Sequence, residues 1–203
     1  MNAPFRPARL TLTLASLSDP EELRRIDAYV ARHADGTAFH RPAWLLGAAR
    51  GTGNRALALV AERAGEMVGF VPLVEVHSPL FGRMLASSGF GVGGGVLLDD
   101  PRDAKTVFAA LEELAARRNC PTIELRGGVL PERRAGWSIR QDSHCGFVRP
   151  LASDDEAELL QIPRKQRAEV RKGLANDLQV TVGRSERDLR AHYAVYSQSV
   201  RNL

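Results

Sequence analysis

The sequence has few cysteines, few aromatic residues and no long apolar runs. Its 203 residues include two cysteines, Cys120 and Cys145, which have no partners at the spacing of a metal-binding motif, so we expect no metal site. Aromatic residues make up only 6% of the chain, which argues against a surface that stacks nucleic-acid bases. No apolar run approaches the roughly 20 residues that span a bilayer. The first nine residues also lack the apolar core of a signal peptide. We therefore expect two reduced thiols in a cytoplasmic protein.

The remaining composition is that of an ordinary globular protein. Hydrophobic residues make up 44% of the chain, charged residues make up 26%, and the net charge is +4. This length is enough for one large domain or two small ones. The modest positive excess is compatible with an anionic substrate, with RNA, or with no charged partner.

The distribution of charge is more informative than its total. Residues 162–173 contain five cations and one carboxylate, whereas residues 153–160 contain four carboxylates and no cation. Pro163 suits the first turn of a helix, because its missing N–H costs nothing there. Helical spacing then places Ile162, Gln166, Val170 and Leu174 on one narrow stripe.

Three arginines of this helix form the predicted substrate-binding set. Arg164, Arg167 and Arg171 fall within roughly 60° of one another beside the stripe. Guanidinium groups in such a position suit phosphate or carboxylate, which they bind bidentately. Lys165 and Lys172 point elsewhere, and Glu169 can pair with Lys165. The equally weighted alternative is a basic face that pairs with the acidic stretch before it.

The first 151 residues are predicted to form a mixed α/β unit. The pattern predicts a capped helix from Ser18 to Gly36, a short helix from Phe39 to Ala49, and an amphipathic helix from Ala104 to Arg118. Strands are predicted at 10–14, 56–63, 67–77, 84–88, 122–126 and 146–151, with a hairpin at Ala64–Gly65–Glu66. The expected core positions are Trp44, Leu59, Phe70, Val71, Phe108, Leu111, Ile123 and Leu125.

Two features of this unit allow more than one interpretation. The glycine-rich segment 89–95 could hold a phosphate through its amides. It matches neither a P-loop nor a dinucleotide-binding fingerprint, so a flexible connection or a strand bulge is favoured. Glu124 and Arg126 share one face of their strand, where they form either a functional pair or a charge-satisfied sheet face.

Residues 152–203 are predicted to start a second unit. A capping box at Ser153–Glu156 precedes the basic helix, residues 178–183 resemble a strand, and Ser185–Asp188 opens a last helix. That helix carries an apolar strip of Leu189, Tyr193, Tyr196, Val200 and Leu203, without a stop signal. We expect from this pattern that the chain is truncated and the second unit incomplete.

Several local sequences, taken in order, resemble a known family. They are residues 38–44 (AFHRPAW), 68–73 (VGFVPL), 81–88 (FGRMLASS), 93–95 (GGG) and 123–126 (IELR), followed by the basic run. The order of elements in the first unit resembles the GNAT acyltransferase fold. The whole set resembles the FemAB-type proteins, which carry two GNAT-like units in tandem, and most closely the variety associated with exosortase/PEP-CTERM systems.

The resemblance implies an acyl- or aminoacyltransferase that acts on an amine of a cell-envelope or polysaccharide precursor. The donor would be acyl-CoA or aminoacyl-tRNA, with tRNA as a possible partner, and the other substrate would be anionic or nucleotide-linked. No tightly bound cofactor is implied. One departure matters: the acyl-CoA loop of GNAT proteins is not found, and residues 99–104 open the helix instead. The donor is therefore expected in the missing part of the second unit.

No general base is assigned from the sequence. His40 and His144 have no predicted place, and Glu124 is interpreted as structural. The alternatives to an enzyme are an RNA- or tRNA-binding module, which the basic helix favours, and a non-catalytic scaffold domain.

Overall fold

The structure is a computed structural model that describes residues 9–80, 82–131, 135–141 and 145–203. Two compact units divide at Ile139/Arg140; the boundary predicted at 151/152 stays a prediction. Phe81 of the resemblance and His144 lie outside the described residues.

The first unit is a six-stranded mixed sheet with helices on both faces, which confirms the predicted fold class. The sheet order is β1-β2-β3-β4-β6, and the short β5 pairs with β3. All strand pairings are antiparallel except that of β4 with β6, which is parallel. The chain passes from β4 through β5 and α3 before it reaches β6. The elements are β1 Leu10–Leu14, α1 Pro20–Arg32, α2 Pro42–Thr52, β2 Arg55–Arg63, β3 Glu66–Ser78, β4 Gly82–Ser87, β5 Leu97–Leu98, α3 Ala104–Arg117 and β6 Thr122–Glu124.

Alternation along the strands divides the core between the two sheet faces. Leu59, Val71 and Leu73 pack with α3, whereas Val60, Phe70 and Val74 pack with α1 and α2. Five of the eight predicted core residues are fully buried: Leu59, Phe70, Val71, Phe108 and Leu111. Ile123 and Leu125 are half-buried against the α3 side.

The prediction that Trp44 is a core residue is wrong, because 37% of its surface is exposed. Its neighbour Leu45 takes the fully buried place in α2, and Trp44 instead packs edge-on against Phe39, with ring centroids 4.8 Å apart. The single helix predicted over 39–49 is two elements, a 3-10 turn Ala38–His40 and then α2. Pro42 causes the break, because the residue before a proline is pushed out of helical geometry.

The predicted hairpin at Ala64–Gly65 is confirmed. Both residues have positive φ, 53° and 85°, and Arg63 pairs with Glu66. A two-residue turn of this kind matches the twist of the strands it joins. The first helix begins at Pro20, capped by Asp19 through its bond from the Glu21 amide, so the cap lies one residue after the predicted Ser18.

The second unit contains three described helices: α4 Asp155–Gln161, α5 Arg164–Leu174 and α6 Glu186–Arg201. The capping box Ser185–Asp188 of α6 is confirmed, whereas α4 is capped by Asp154. The strands predicted at 146–151 and 178–183 are wrong, because both segments lack regular structure. An extended segment becomes a strand only with a ladder partner, and residues 145–203 contain no described strand.

No described residue of 145–203 is buried. The apolar strip of α6 is accordingly exposed along Leu189, Tyr193, Tyr196 and Val200. Across both units, no described helix has the length and apolar character needed to cross a membrane.

Candidate functional site

The glycine-rich segment 89–95 is a large bulge on one side of a pair of parallel strands. Ala86 pairs with Glu124, and the next bridge joins Val96 to Gly128. One strand therefore advances ten residues while the other advances four. The pairing resumes beyond the bulge, where the Val129 amide donates to the carbonyl of Val96 at 2.9 Å. The favoured prediction of a bulge agrees with this register.

The glycines of the bulge allow close backbone contact. A Cβ on Gly95 would lie 1.7 Å from the carbonyl oxygen of Gly127, and one on Gly94 would lie 2.0 Å from the Cβ of Ser88. The Gly91 and Gly94 amides donate to the carbonyls of Ser88 and Arg126. Because these two amides are used inside the protein, they are not available to hold a phosphate.

Polar side chains hold the bulge on several sides. Thr37 Oγ1 donates to the Gly93 carbonyl at 2.9 Å, and Ser88 Oγ donates to the Phe39 carbonyl at 2.6 Å. The Arg126 amide donates to Ser87 Oγ, and Arg126 Nη1 donates to the Gly91 carbonyl at 2.8 Å. These bonds hold the bulge to the 3-10 turn on one side and to Arg126, which follows β6, on the other.

His40, unplaced from sequence, is a buried part of this arrangement. It is 2% exposed; its Nδ1 accepts from the Thr37 amide at 3.2 Å, and its Nε2 lies 3.2 Å from the Gly95 carbonyl oxygen. Nε2 therefore carries the proton and donates. Burial lowers the pKa of His40, opposed by its bond to Gly95. With both ring nitrogens engaged, the side chain positions the bulge and is not placed to act as a base.

Glu124 and Arg126 form the exposed part of the arrangement. Arg126 Nε donates to Glu124 Oε1 at 2.6 Å, and both side chains are a little under half exposed. On the bulge beside them, Phe90 and Val92 are exposed. Because Arg126 donates to the carbonyl of Gly91, which lies between Phe90 and Val92 in sequence, the ion pair and these two apolar residues are neighbours.

The turn before α3 carries three carboxylates in the place where the resemblance implies a donor loop. Asp99 accepts from Tyr29, Asp100 pairs with Arg102, and Asp103 pairs with Arg63. Asp99 also lies 3.6 Å from Arg32, so each of the three carboxylates has an arginine partner. The turn therefore has no excess of positive charge to attract a phosphate, beyond the helix N-terminus itself.

A depression of about 670 Å³ lies beside the end of α3, lined by apolar residues together with Cys120, Glu112 and Trp137. The indole Nε1 of Trp137 donates to Glu112 at 2.7 Å. Burial raises the pKa of Cys120, with a further contribution from Glu75, so the thiol stays protonated and is a weak nucleophile. This depression carries no reactive arrangement.

The three predicted site arginines have different surroundings. Arg167 donates to the carbonyls of Leu160 and Ile162, at 2.9 Å from Nη2 to each, and thereby caps the C-terminal end of α4. Arg164 and Arg171 are exposed and have no side-chain partner among the described residues. The structure therefore separates Arg167 from the other two.

The predicted ion pairs of α5 are not formed among the described residues. Glu169 does not pair with Lys165, and no carboxylate of α4 reaches a cation of α5. Glu158 instead pairs with Arg149, and Asp154 caps α4. The described residues also contain no group of three or more His, Cys, Asp or Glu side chains that could hold a metal ion.

Comparison with known proteins gives structural similarity alone. No family model matches the chain, and no curated protein matches it. The chain is similar to the ribosomal-protein-alanine N-acetyltransferase of Brucella melitensis, with 20% identity, 70% of this chain and 99% of that chain covered, and a TM-score of 0.43. It is also similar to a GNAT family acetyltransferase of Staphylococcus aureus, with 16% identity, 70% and 98% coverage, and a TM-score of 0.42.

A third similar structure is an aminoglycoside acetyltransferase from an uncultured soil metagenomic sample. The identity is 16%, the coverage is 71% of this chain and 99% of that chain, and the TM-score is 0.45. With TM-scores below 0.5 and identities of 20% or less, these structures give no argument for a particular chemistry.

Proposed function

We propose that the protein is an N-acyltransferase that transfers an acyl or aminoacyl group to an amine of a cell-envelope or polysaccharide precursor. The observation that supports this most is the sheet: an antiparallel series β1-β2-β3-β4 followed by a connection through α3 to the parallel strand β6. This arrangement agrees with the one that the ordered motifs imply. A fold alone does not determine chemistry, so the assignment depends on the fold and the motifs together.

The donor, acyl-CoA or aminoacyl-tRNA, binds outside the first unit in this proposal. Two observations support this placement. Asp99, Asp100 and Asp103 each pair with an arginine, which leaves no excess positive charge for a pyrophosphate before α3, and the bridge from Val96 to Gly128 keeps the parallel strands paired beyond the bulge. The first unit then acts as scaffold and presents acceptor-binding groups.

The acceptor amine must be positioned and deprotonated, and the developing oxyanion must be stabilised. The surface of Glu124, Arg126, Phe90 and Val92 combines charged and apolar groups with exposed side chains. We propose that this surface binds the acceptor. His40 fixes the bulge that carries Phe90 and Val92, and so supports this surface from behind.

The anionic group of a substrate binds to α5. Arg164 and Arg171 have exposed, unpaired guanidinium groups on one helix, and such groups bind phosphate bidentately. Arg167 supports them by holding the junction between α4 and α5. The proposed substrate ligands are thus Arg164 and Arg171, with Arg167 as a positioning residue.

The test is transfer by the full-length protein from either donor to a panel of amino sugars and amino-acylated precursors, followed by mass spectrometry of the products. We expect a mass increase of one acyl or aminoacyl group, and a loss of about ten-fold or more in Arg126→Ala, since one charge-assisted contact contributes about 1.5–3 kcal/mol. Lys105→Ala, a single-cation change on α3, is the control.

Hydrogen exchange with and without donor locates the donor site. Protection at residues 97–104 would contradict the proposed placement of the donor. No transfer from either donor to any amine would favour a non-catalytic binding or scaffold module instead.

A further inference from the structure

The charges of α5 are almost entirely unpaired. The helix carries five cations and one carboxylate. Arg167 is the one cation whose side chain has a hydrogen-bond partner among the described residues. The other four are exposed, and they are Arg164, Lys165, Arg171 and Lys172. Unpaired cations repel one another, so this helix is organised for something other than its own stability.

These four cations occupy one face in two pairs. Seven residues turn a helix through almost two full turns, so Arg171 lies over Arg164 and Lys172 lies over Lys165. The two pairs are about 10.5 Å apart along the axis. Ala168 lies between them, near the middle of a sector of roughly 120°. The face is therefore two dibasic pairs with a small residue in the gap.

Arg167 does not belong to this face. It lies only roughly 40° from Arg171 around the helix, but its guanidinium is turned back onto the Leu160 and Ile162 carbonyls and is therefore already engaged. The further inference therefore concerns a four-cation face that includes both lysines, and the arginine set predicted from sequence stays a prediction.

The placement of the first pair has an electrostatic cost. Arg164 and Lys165 are the first two residues of α5, at the positive end of the helix dipole, and the first turn has no acidic residue. Cations there destabilise a helix, whereas anions stabilise it. A bound anion would relieve both this cost and the repulsion within the pair.

We propose that this face binds the phosphodiester backbone of a nucleic-acid strand. Phosphates follow one another at regular intervals along a strand, so two cation pairs about 10.5 Å apart along the helix can contact separate phosphates of the same strand. A single pyrophosphate is short relative to this separation. The described face has no aromatic side chain for base stacking, so the contact is independent of base sequence.

A membrane surface fits this helix less well. Val170 and Leu174 are the only large apolar side chains of α5, whereas a helix that lies in the lipid interface needs a broad apolar face.

The inference rests on the anion-binding part of the proposed function, because it names the chemical class of that anion. It does not depend on acyl transfer.

The test measures binding of a fluorescein-labelled single-stranded RNA, with the matching DNA in parallel, as salt is raised from about 50 to about 200 mM. Four neutralised phosphates give a log–log slope of about −2.8, which is about fifty-fold weaker binding over this range. The double variant Arg164→Gln/Lys165→Gln should keep a slope of about −1.4, or about seven-fold. Arg171→Gln/Lys172→Gln should behave in the same way.

Two matched variants serve as controls, and circular dichroism checks the helix content of each. Arg187→Gln/Arg190→Gln removes the same charge from α6 and should leave the salt slope unchanged. Arg117→Gln, a change of one exposed cation on α3, should also leave the slope unchanged. If the α6 variant lowers the slope as much as the α5 variants do, the binding is diffuse and the inference is overturned.

Other ligands separate this inference from the proposed function. Binding of ADP or pyrophosphate through Arg164 and Arg171, without RNA or DNA binding, overturns the inference and leaves the anion site of the proposed function standing. Variant-sensitive binding to vesicles with anionic headgroups, again without nucleic-acid binding, overturns it in favour of a lipid surface. If none of these ligands binds, both the inference and the anion site fail.

Discussion

His40 Nε2 and the Gly95 carbonyl oxygen are 3.2 Å apart, and this contact joins the turn before α2 to the end of the glycine-rich bulge. The contact spans 55 positions of sequence and lies in the interior. Protonation of this one imidazole should therefore change the free energy of unfolding of the first unit.

We expect stability to fall as the pH drops below about 6.5, the ordinary pKa of histidine. Burial lowers the pKa of His40 in the folded state, so the unfolded chain takes up a proton first. Stability is then full above about 6.5 and is lost towards the lower folded-state pKa, by up to about 1.4 kcal/mol per pH unit. Urea unfolding between about pH 5 and 7.5 measures this slope. The slope should disappear in His40→Gln, and an unchanged slope would contradict the assignment.

The closeness of Gly95 to Gly127 gives a second prediction. A Cβ at position 95 would lie 1.7 Å from the Gly127 carbonyl oxygen, so Gly95→Ala should destabilise the unit by about 1–3 kcal/mol or more through overpacking. Gly47, inside α2, has no atom within 4 Å of the same position. Gly47→Ala should therefore stabilise the protein by about 0.5–1 kcal/mol. Thermal unfolding of the two variants should shift in opposite directions, and equal shifts would be evidence against the bulge geometry.

Glu75 provides a third prediction, because its side chain is only 4% exposed and is held by Arg83 and Arg118. Burial opposes its ionisation, but hydrogen bonds from Arg118 and Arg83 outweigh burial and hold its pKa below the ordinary value. Glu75→Gln should cost about 1.5–3 kcal/mol, the range for hydrogen bonds to charged groups. Its contribution should be lost as the pH falls below about 4.5, a window separate from that of His40.

The control for Glu75 is Glu113, whose pair with Arg117 is more than half exposed on both sides. Glu113→Gln should cost no more than about 1 kcal/mol. If denaturant midpoints move equally in the two variants, the buried cluster does not stabilise the fold.

A fourth prediction concerns the core under α3. Phe108 is 1% exposed and packs edge-on against Trp137, with ring centroids 5.1 Å apart. Phe108→Ala should cost about 3–5 kcal/mol through lost burial and a cavity. Phe90→Ala, at a residue that is 56% exposed, should cost less than about 0.5 kcal/mol. Similar melting temperatures for the two variants would contradict the burial of Phe108 in the core.

The elements predicted well from sequence are those whose pattern is local. β1 alternates, β2 and β3 are apolar runs, α1 and α3 have apolar stripes, and the turn at Ala64–Gly65 has its own chemistry. The burial of these elements follows from their local hydrophobic pattern. Residues 146–151 and 178–183 show the limit of this reasoning, because an alternating segment forms a strand only where a partner strand is available.

The site residues were harder to predict because their contacts are long-range. His40 lies in a segment without periodicity, and nothing local places it against Gly95. One signal was present: Thr37 and His40 have the spacing of a helix-capping pair, and the Thr37 amide does donate to the imidazole. Helical angles place Arg167 near Arg164 and Arg171, but they do not predict its bonds to the end of α4, which depend on the path of the chain through Pro163.

The cap that Arg167 places on α4 has a consequence for local unfolding. The end of α4 cannot fray without breaking the bonds to Leu160 and Ile162, and those bonds originate one turn inside α5. The two helices should therefore open as one cooperative segment. Their amide protons would then exchange with a shared free energy of opening, and Arg167→Gln would divide that segment into two independent ones.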